Sequence, residues 1–172
     1  MTRTIDLRED LFFDMITGRI ASNMNTNSYV IQRQTEGLSH EDSVVQLPFR
    51  GNCMNWVLGH IVSSRDDMLA ILGGEPVLTA VEKNLYETGS QPITNAGDAL
   101  PLEHLLADLA ESGEQVQVLL ADASPDSLLQ IFNEERGSTR LDALLGLIWH
   151  ETYHAGQFEY LRQAAGTDDK VF

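Results

Sequence analysis

The chain is poor in basic side chains. Of its 172 residues only 11 are Lys or Arg, against 26 Asp or Glu, and the formal net charge is −15. Nucleic-acid backbones are gripped by clustered Lys and Arg that displace counterions, and anionic membrane surfaces attract the same groups, so neither is an expected partner. There is one cysteine, Cys53, which excludes an internal disulfide and makes a reduced, cytoplasmic setting the default. No apolar run approaches the ~18 residues that suggest a membrane-crossing helix. Residues 1–30 lack a basic stretch followed by a continuous apolar core, so no signal peptide is expected. Repeats and low-complexity tracts are absent as well. What remains is ordinary for a folded chain. With 42% hydrophobic residues, residues 1–172 fit a single domain with a sizeable core.

Four long periodic stretches carry most of the sequence. In the first, roughly 9–36, Phe13, Ile16, Ile20, Met24, Asn27 and Ile31 step at three and four residues like one face of a helix. The second, roughly 53–72, carries the stripe Met54, Val57, Leu58, Ile61, Met68 and Leu72, with Asn52 as its expected cap and Gly73 as its stop. The third, roughly 99–122, has Leu102, Leu105, Leu106, Leu109, Val116, Leu119 and Leu120, with Asp98 as its expected cap and Pro101 in the first turn. The fourth, roughly 139–165, opens on the capping pair Thr139 and Asp142, continues through Leu141, Leu144, Leu145, Ile148, Phe158 and Leu161, and ends at Gly166. Long helices with one apolar stripe each predict an all-α, four-helix bundle. The long link 73–98 allows the second and third helices to run the same way, which suggests an up-down-down-up order. Val77-Leu78 and Leu128–Phe132 are the only short extended candidates.

His150 and His154 are four residues apart in the fourth helix. They lie about 40° apart around its axis, one turn above the other, as a metal ion shared by two imidazoles requires. The spacing alone is a weak motif. Leu147, His150, His154, Phe158 and Leu161 form one face, which would point both histidines toward the core. His60 is placed near mid-height of the second helix and can supply a third ligand if the two helices are neighbours. Two readings stand at this point: a three-histidine metal site, or core histidines satisfied by hydrogen bonds. His40, in a polar link, reads as solvated, and His104 as a surface residue.

The tract His150-Glu151-Thr152-Tyr153-His154 also spells HExxH, in which a glutamate activates a zinc-bound water. Gln157 and Tyr160 stand where the extended peptidase form has Gly and His, and only 18 residues follow His154. Both facts argue against a peptidase. Glu151 lies about 80° from the midpoint of the two histidines, so its side chain need not face them.

The same tract extended, His150-Glu151-Thr152-Tyr153-His154-Ala155-Gly156-Gln157 with Tyr160-Leu161-Arg162 and Gly166, resembles the C-terminal signature of the DinB-like superfamily, HExxHxGQ followed by LR. Asn55-Trp56-Val57-Leu58-Gly59-His60-Ile61 resembles its second-helix motif. The resemblance spans essentially the whole chain. It implies an up-down-down-up four-helix bundle, usually a homodimer, and a divalent metal held by His60, His150 and His154. Ala155 departs from the pattern, since many relatives carry Arg there, and an anion-binding role for that position is not carried over. The family includes S-transferases and isomerases that use low-molecular-weight thiols, and many members without an assigned reaction.

Three neutral imidazoles leave a divalent ion its full charge and an open position, the pattern of a catalytic centre. Zn, Ni, Mn or Fe all suit such ligands. Two chemistries follow for a small-molecule substrate: S-transfer with a thiol cosubstrate, or hydrolysis. The alternative is a non-catalytic metal- or ligand-binding homodimer. Glu151, Tyr153 and Gln157 are the candidate catalytic side chains, with Gln157 favoured as support and Tyr153 as a rim residue. Trp56 is expected to be core or a wall of the site, Cys53 buried filler, and Arg162 an ion-pair or packing residue. Seven residues of helix span about 10.5 Å, so neither Cys53 nor Asp67 can join His60 on one ion.

Overall fold

The computed structural model describes residues 7–167, 169 and 171–172. In chain order the helices are α1 (Leu7–Thr35), α2 (His40–Ser43), α3 (Met54–Leu72), α4 (Ala80–Tyr86), α5 (Leu102–Asp122), α6 (Pro125–Leu128), α7 (Arg140–Ala155) and α8 (Phe158–Ala164). A two-stranded antiparallel ribbon, β1 (Ile131–Asn133) with β2 (Ser138–Thr139), stands between α6 and α7. The fold is mainly helical. Among the described residues no helix is long and apolar enough to cross a membrane.

The sequence signals explain most of the boundaries. Gly73 ends α3 in the left-handed region at φ 85°, where it has no Cβ to clash. Thr139 and Asp142 form a reciprocal capping box at the start of α7. Five expectations are corrected. Cys53, not Asn52, is the N-cap of α3, and it makes no side-chain capping bond. Asp98 lies in a 3₁₀ turn, Ala96–Asp98, and α5 begins only after Pro101, whose ψ of 139° is not helical. The fourth stretch is two helices. Gln157 N–H bonds back three residues to the His154 carbonyl, so the chain tightens at Gly156-Gln157, where glycine weakens the helix. Val77-Leu78 is not a strand; both of its N–H groups are held by the Asp66 carboxylate of α3, at 2.8 and 3.2 Å. The extended part of 128–132 is confined to β1, since Leu128 ends α6.

The four long helices touch in a ring, α1 on α7, α7 on α3, α3 on α5 and α5 on α1. Their apolar faces form two core clusters. One is built around Ile31, Val57, Leu58, Ile61, Leu105, Leu109, Phe158 and Leu161. The other is built around Ile20, Met24, Met68, Leu69, Val116, Leu144 and Ile148. Between the two levels every helix interrupts its apolar stripe. Asn27, Arg65, Ser112-Gly113 and Glu151 are all buried there. Arg65 donates from Nε and Nη2 to the two Glu151 carboxylate oxygens at 2.9 and 2.8 Å, and both side chains are wholly buried. Arg65 also donates to the Leu109 carbonyl and Ser28 Oγ, and Asn27 donates to Glu151 Oε1. Gly113 makes the room, because a Cβ there would sit 2.9 Å from Arg65 Nη1.

Tyr86, at the end of α4, is the other buried anchor. Its hydroxyl donates to Asn55 Oδ1 at 3.0 Å and accepts the Leu100 N–H at 2.9 Å, which ties the long link to α3 and to the start of α5. Burial pushes its phenol up to about 12, so it stays a donor. Its ring occupies the space over Gly59, where a Cβ would lie 2.3 Å from Cδ1. Gly59→Ala is therefore expected to cost about 1–3 kcal/mol through overpacking, a fall in Tm of roughly 2–4 °C per kcal/mol. An unchanged melting curve would contradict this.

Candidate metal centre

α3 and α7 carry the three histidines. Their contacts fix the register of the seam: His60 meets His150 and His154, Ser64 meets His150, and Arg65 meets Glu151. His60 is buried, whereas His150 and His154 are half-buried. The core stripe of α7 is Leu144, Ile148, Glu151 and Ala155. The histidines stand on its shoulder rather than on the inward face that the periodicity suggested. The glutamate of HExxH takes the inward position, and the histidines open toward the surface between α3 and α7.

The three rings meet edge to face, with centroids 4.5 to 5.0 Å apart. His150 Nε2 lies 3.3 Å from His60 Nε2 and 3.0 Å from His154 Nε2. Each ring is turned by an acceptor on its other nitrogen. His60 Nδ1–H donates to the Tyr86 carbonyl at 2.7 Å, and His154 Nδ1–H to Gln157 Oε1 at 3.1 Å. Ser64 Oγ spends its proton on the His60 carbonyl and faces His150 Nδ1 at 3.4 Å with a lone pair. With protons on Nδ1, all three Nε2 atoms present lone pairs to one another. Such an arrangement is repulsive when empty and complementary to a cation. Metal–nitrogen bonds of ~2.05 Å at tetrahedral angles place the nitrogens ~3.3 Å apart, close to both spacings. The chemistry and separation of the donors therefore fit a divalent ion, and among the described residues these three side chains could hold one.

Burial lowers the basicity of the ligands. His154 is pushed down to about 4 and His150 is also lowered, in both cases chiefly by desolvation of the charged ring. Neutral imidazoles are what a metal requires. A linkage follows for the metal-free protein. Between the ordinary value near 6.5 and about 4, the unfolded chain binds a proton at His154 that the folded chain refuses. Stability contributed by this residue is thus full above pH 6.5 and declines as the pH falls toward 4. The Tm of the chelator-treated protein should fall relative to that of His154→Gln as the pH drops through that window, and a constant difference would refute the linkage.

The other candidates separate by position. Gln157 is a positioning residue for His154. Trp56 is nearly buried and serves as both core and wall: its ring stacks on His60 at 4.8 Å, and its Nε1–H donates to Ser90 Oγ at 2.8 Å. Tyr153 is exposed, with its ring 5.2 Å from His154. Glu151 faces away from the triad, and its carboxylate is occupied by Arg65 and Asn27. Cys53 is buried, and burial raises its thiol. Asp67 is paired with Lys83. His104 is an edge residue beside Asp108. His40 corrects the expectation of a solvated side chain, since it begins α2 and its Nε2–H donates to the Ala96 carbonyl at 3.0 Å. Arg162 is both ion-paired and packed: it forms a fork with Asp169 and donates to the carbonyls of Gln34 and Glu36.

Sequence reasoning passed over Arg65, Ser64 and Tyr86. An arginine inside a stretch as apolar as α3 is a signal for the first. Ser64 is four residues after His60, which was legible in hindsight. The Tyr86 contact comes from a backbone carbonyl in a long link, which leaves no trace in residue type.

No curated protein matches the chain. The sequence profile of the DinB superfamily matches residues 29–158. That span includes His60, His150 and His154 and the whole of α3, α5 and α7, and the chain belongs to the DinB superfamily.

Proposed function

We propose that this protein is a metal-dependent enzyme that holds one divalent ion on His60, His150 and His154 and acts on a small molecule, with S-transfer from a low-molecular-weight thiol ahead of hydrolysis. The observation that carries the proposal is the convergence of three Nε2 lone pairs, each aimed by an acceptor on the opposite nitrogen. On three neutral ligands a divalent ion supplies Lewis-acid activation of a thiol or of water.

The protein's own groups supply the rest. The Tyr86 carbonyl, Ser64 Oγ and Gln157 Oε1 keep the rings from turning. Trp56 excludes water from one side of His60. Tyr153 stands at the mouth, where its hydroxyl can donate to negative charge developing on a substrate. Hydrolysis needs a base to take a proton from water, and the carboxylate that HExxH offers is committed to Arg65. A thiol, with an ordinary value near 8.5, gives up its proton more easily. This favours the thiol chemistry.

The helix ring is read as an up-down-down-up four-helix bundle. The two core levels support that order: one joins the end of α1 (Ile31) and of α7 (Ala155) to the start of α3 (Leu58) and of α5 (Leu105), and the other joins Ile20 and Leu144 to Met68 and Val116. A homodimer is proposed on the family resemblance. The test is turnover: protein loaded in turn with Zn, Ni, Mn or Fe is screened with thiols against electrophiles, and with esters and amides. Metal-dependent consumption of a thiol supports the reading. Metal bound without turnover in any arm would favour the non-catalytic binding role instead.

A further inference from the structure

A cavity of about 450 Å³ opens beside the triad, between the 47–52 link and the α7–α8 junction. That volume is within the range of small-molecule sites. Two residues belong to both the cavity and the triad: Tyr153, whose ring packs on His154, and Gln157, which bonds it. A molecule seated in the cavity thus ends beside the His154 ring.

The walls are Leu47, Phe49, Tyr153, Tyr160 and Leu161. Phe49, Tyr153 and Tyr160 are 64%, 58% and 66% exposed as residues, so aromatic side chains are left bare around one opening. Arg50 is the one charged side chain of the lining, and it makes no ion pair or hydrogen bond among the described residues. The contrast lies further along the same α3–α7 seam, where a second cavity of about 480 Å³ is lined by Asp67 with Phe132 and Leu147 and carries no basic group. Gly51-Asn52 also lead into the N-terminal end of α3, whose first turn has no acidic residue, so the helix dipole adds positive potential on that side.

We propose that this cavity binds organic carboxylates with an aromatic or branched apolar body, the carboxylate at Arg50 and the body among Phe49, Tyr153 and Tyr160. Naming such acids as the substrate class rests on the metalloenzyme reading above. The binding site does not, because none of its walls is a metal ligand.

The test uses metal-free, ¹⁵N-labelled full-length protein titrated with 4-phenylbutyrate and with its neutral amide. The amides of Gly51, Gly156 and Gln157 should shift, and the acid should bind about 5-fold more tightly than the amide, as an exposed ion pair allows. Arg50→Gln should abolish that preference, and Tyr160→Ala should weaken both ligands. Equal affinities for acid and amide, shifts centred elsewhere, or no saturable binding in the millimolar range would overturn the proposal. Carboxylate binding in a protein that takes up no metal would leave this site standing and remove the enzyme reading; metal uptake without carboxylate binding would do the reverse.

Discussion

Glu151→Ala is expected to cost about 3–5 kcal/mol, the range found when one partner of a buried ion pair is removed. That is a large share of the ~5–15 kcal/mol that keeps a typical domain folded. The loss is not the worth of the pair. Arg65 would remain wholly buried with its charge uncompensated, Nε without an acceptor and Nη2 left with Ser28 Oγ alone. Denaturant unfolding measures the effect as a lower midpoint. The companion variant separates the causes. Arg65→Met/Glu151→Leu removes both charges and fills similar volume, and it should recover more than half of the loss, because buried pairs replaced by apolar residues are often neutral. Asn27 and Ser28 then lose partners, so recovery is incomplete. A double variant as unstable as Glu151→Ala would show that the residues matter through packing rather than through the uncompensated charge. Glu151→Gln keeps the shape, and the folded variant should still take up one metal. A loss of metal with the fold intact would return this residue to the centre.

The same residue shows what the sequence could and could not say. The four stripes were legible because three- and four-residue spacing projects directly onto one helix face. Their gaps were legible too: Asn27 is placed between Met24 and Ile31, and Ser112 between Leu109 and Val116. What spacing cannot convey is that the gaps fall at one level, since that depends on how far each helix slides past its neighbour. HExxH invited a catalytic reading of Glu151, and the azimuth argument weakened it. Only the contact with Arg65 explains why a carboxylate tolerates that position. The break at Gly156-Gln157 was hidden because the apolar stripe continues through Phe158 and Leu161 across a single tightened turn. It matters to the site, since in the tightened turn Gln157 Oε1 lies 3.1 Å from His154 Nδ1 and can hold the ring.

His150→Ala is expected to lower metal affinity by more than the ~10–100-fold typical of losing a group that only orients a ligand. His150 is the nitrogen that the other two approach, at 3.3 and 3.0 Å. Without it the two remaining donors, on α3 and at the end of α7, no longer define three corners of a tetrahedron. Gln157→Ala should fall within the 10–100-fold range, because His154 stays but its Nδ1–H loses its acceptor and the ring is free to turn. His104→Ala should change nothing, since that ring is at the exposed edge beside Asp108. Competition with a chelator of known affinity gives all three values, and elemental analysis gives the stoichiometry of the starting protein. The ordering carries the argument: His150→Ala worst, Gln157→Ala intermediate, His104→Ala silent. A wild-type protein that takes up no ion, or a His150→Ala variant that binds as tightly as wild type, would mean that three inward lone pairs are held together by the fold alone. The fold would then have to bear their mutual repulsion, and His150→Ala would stabilise the protein. Unfolding curves on the same three variants would reveal that sign.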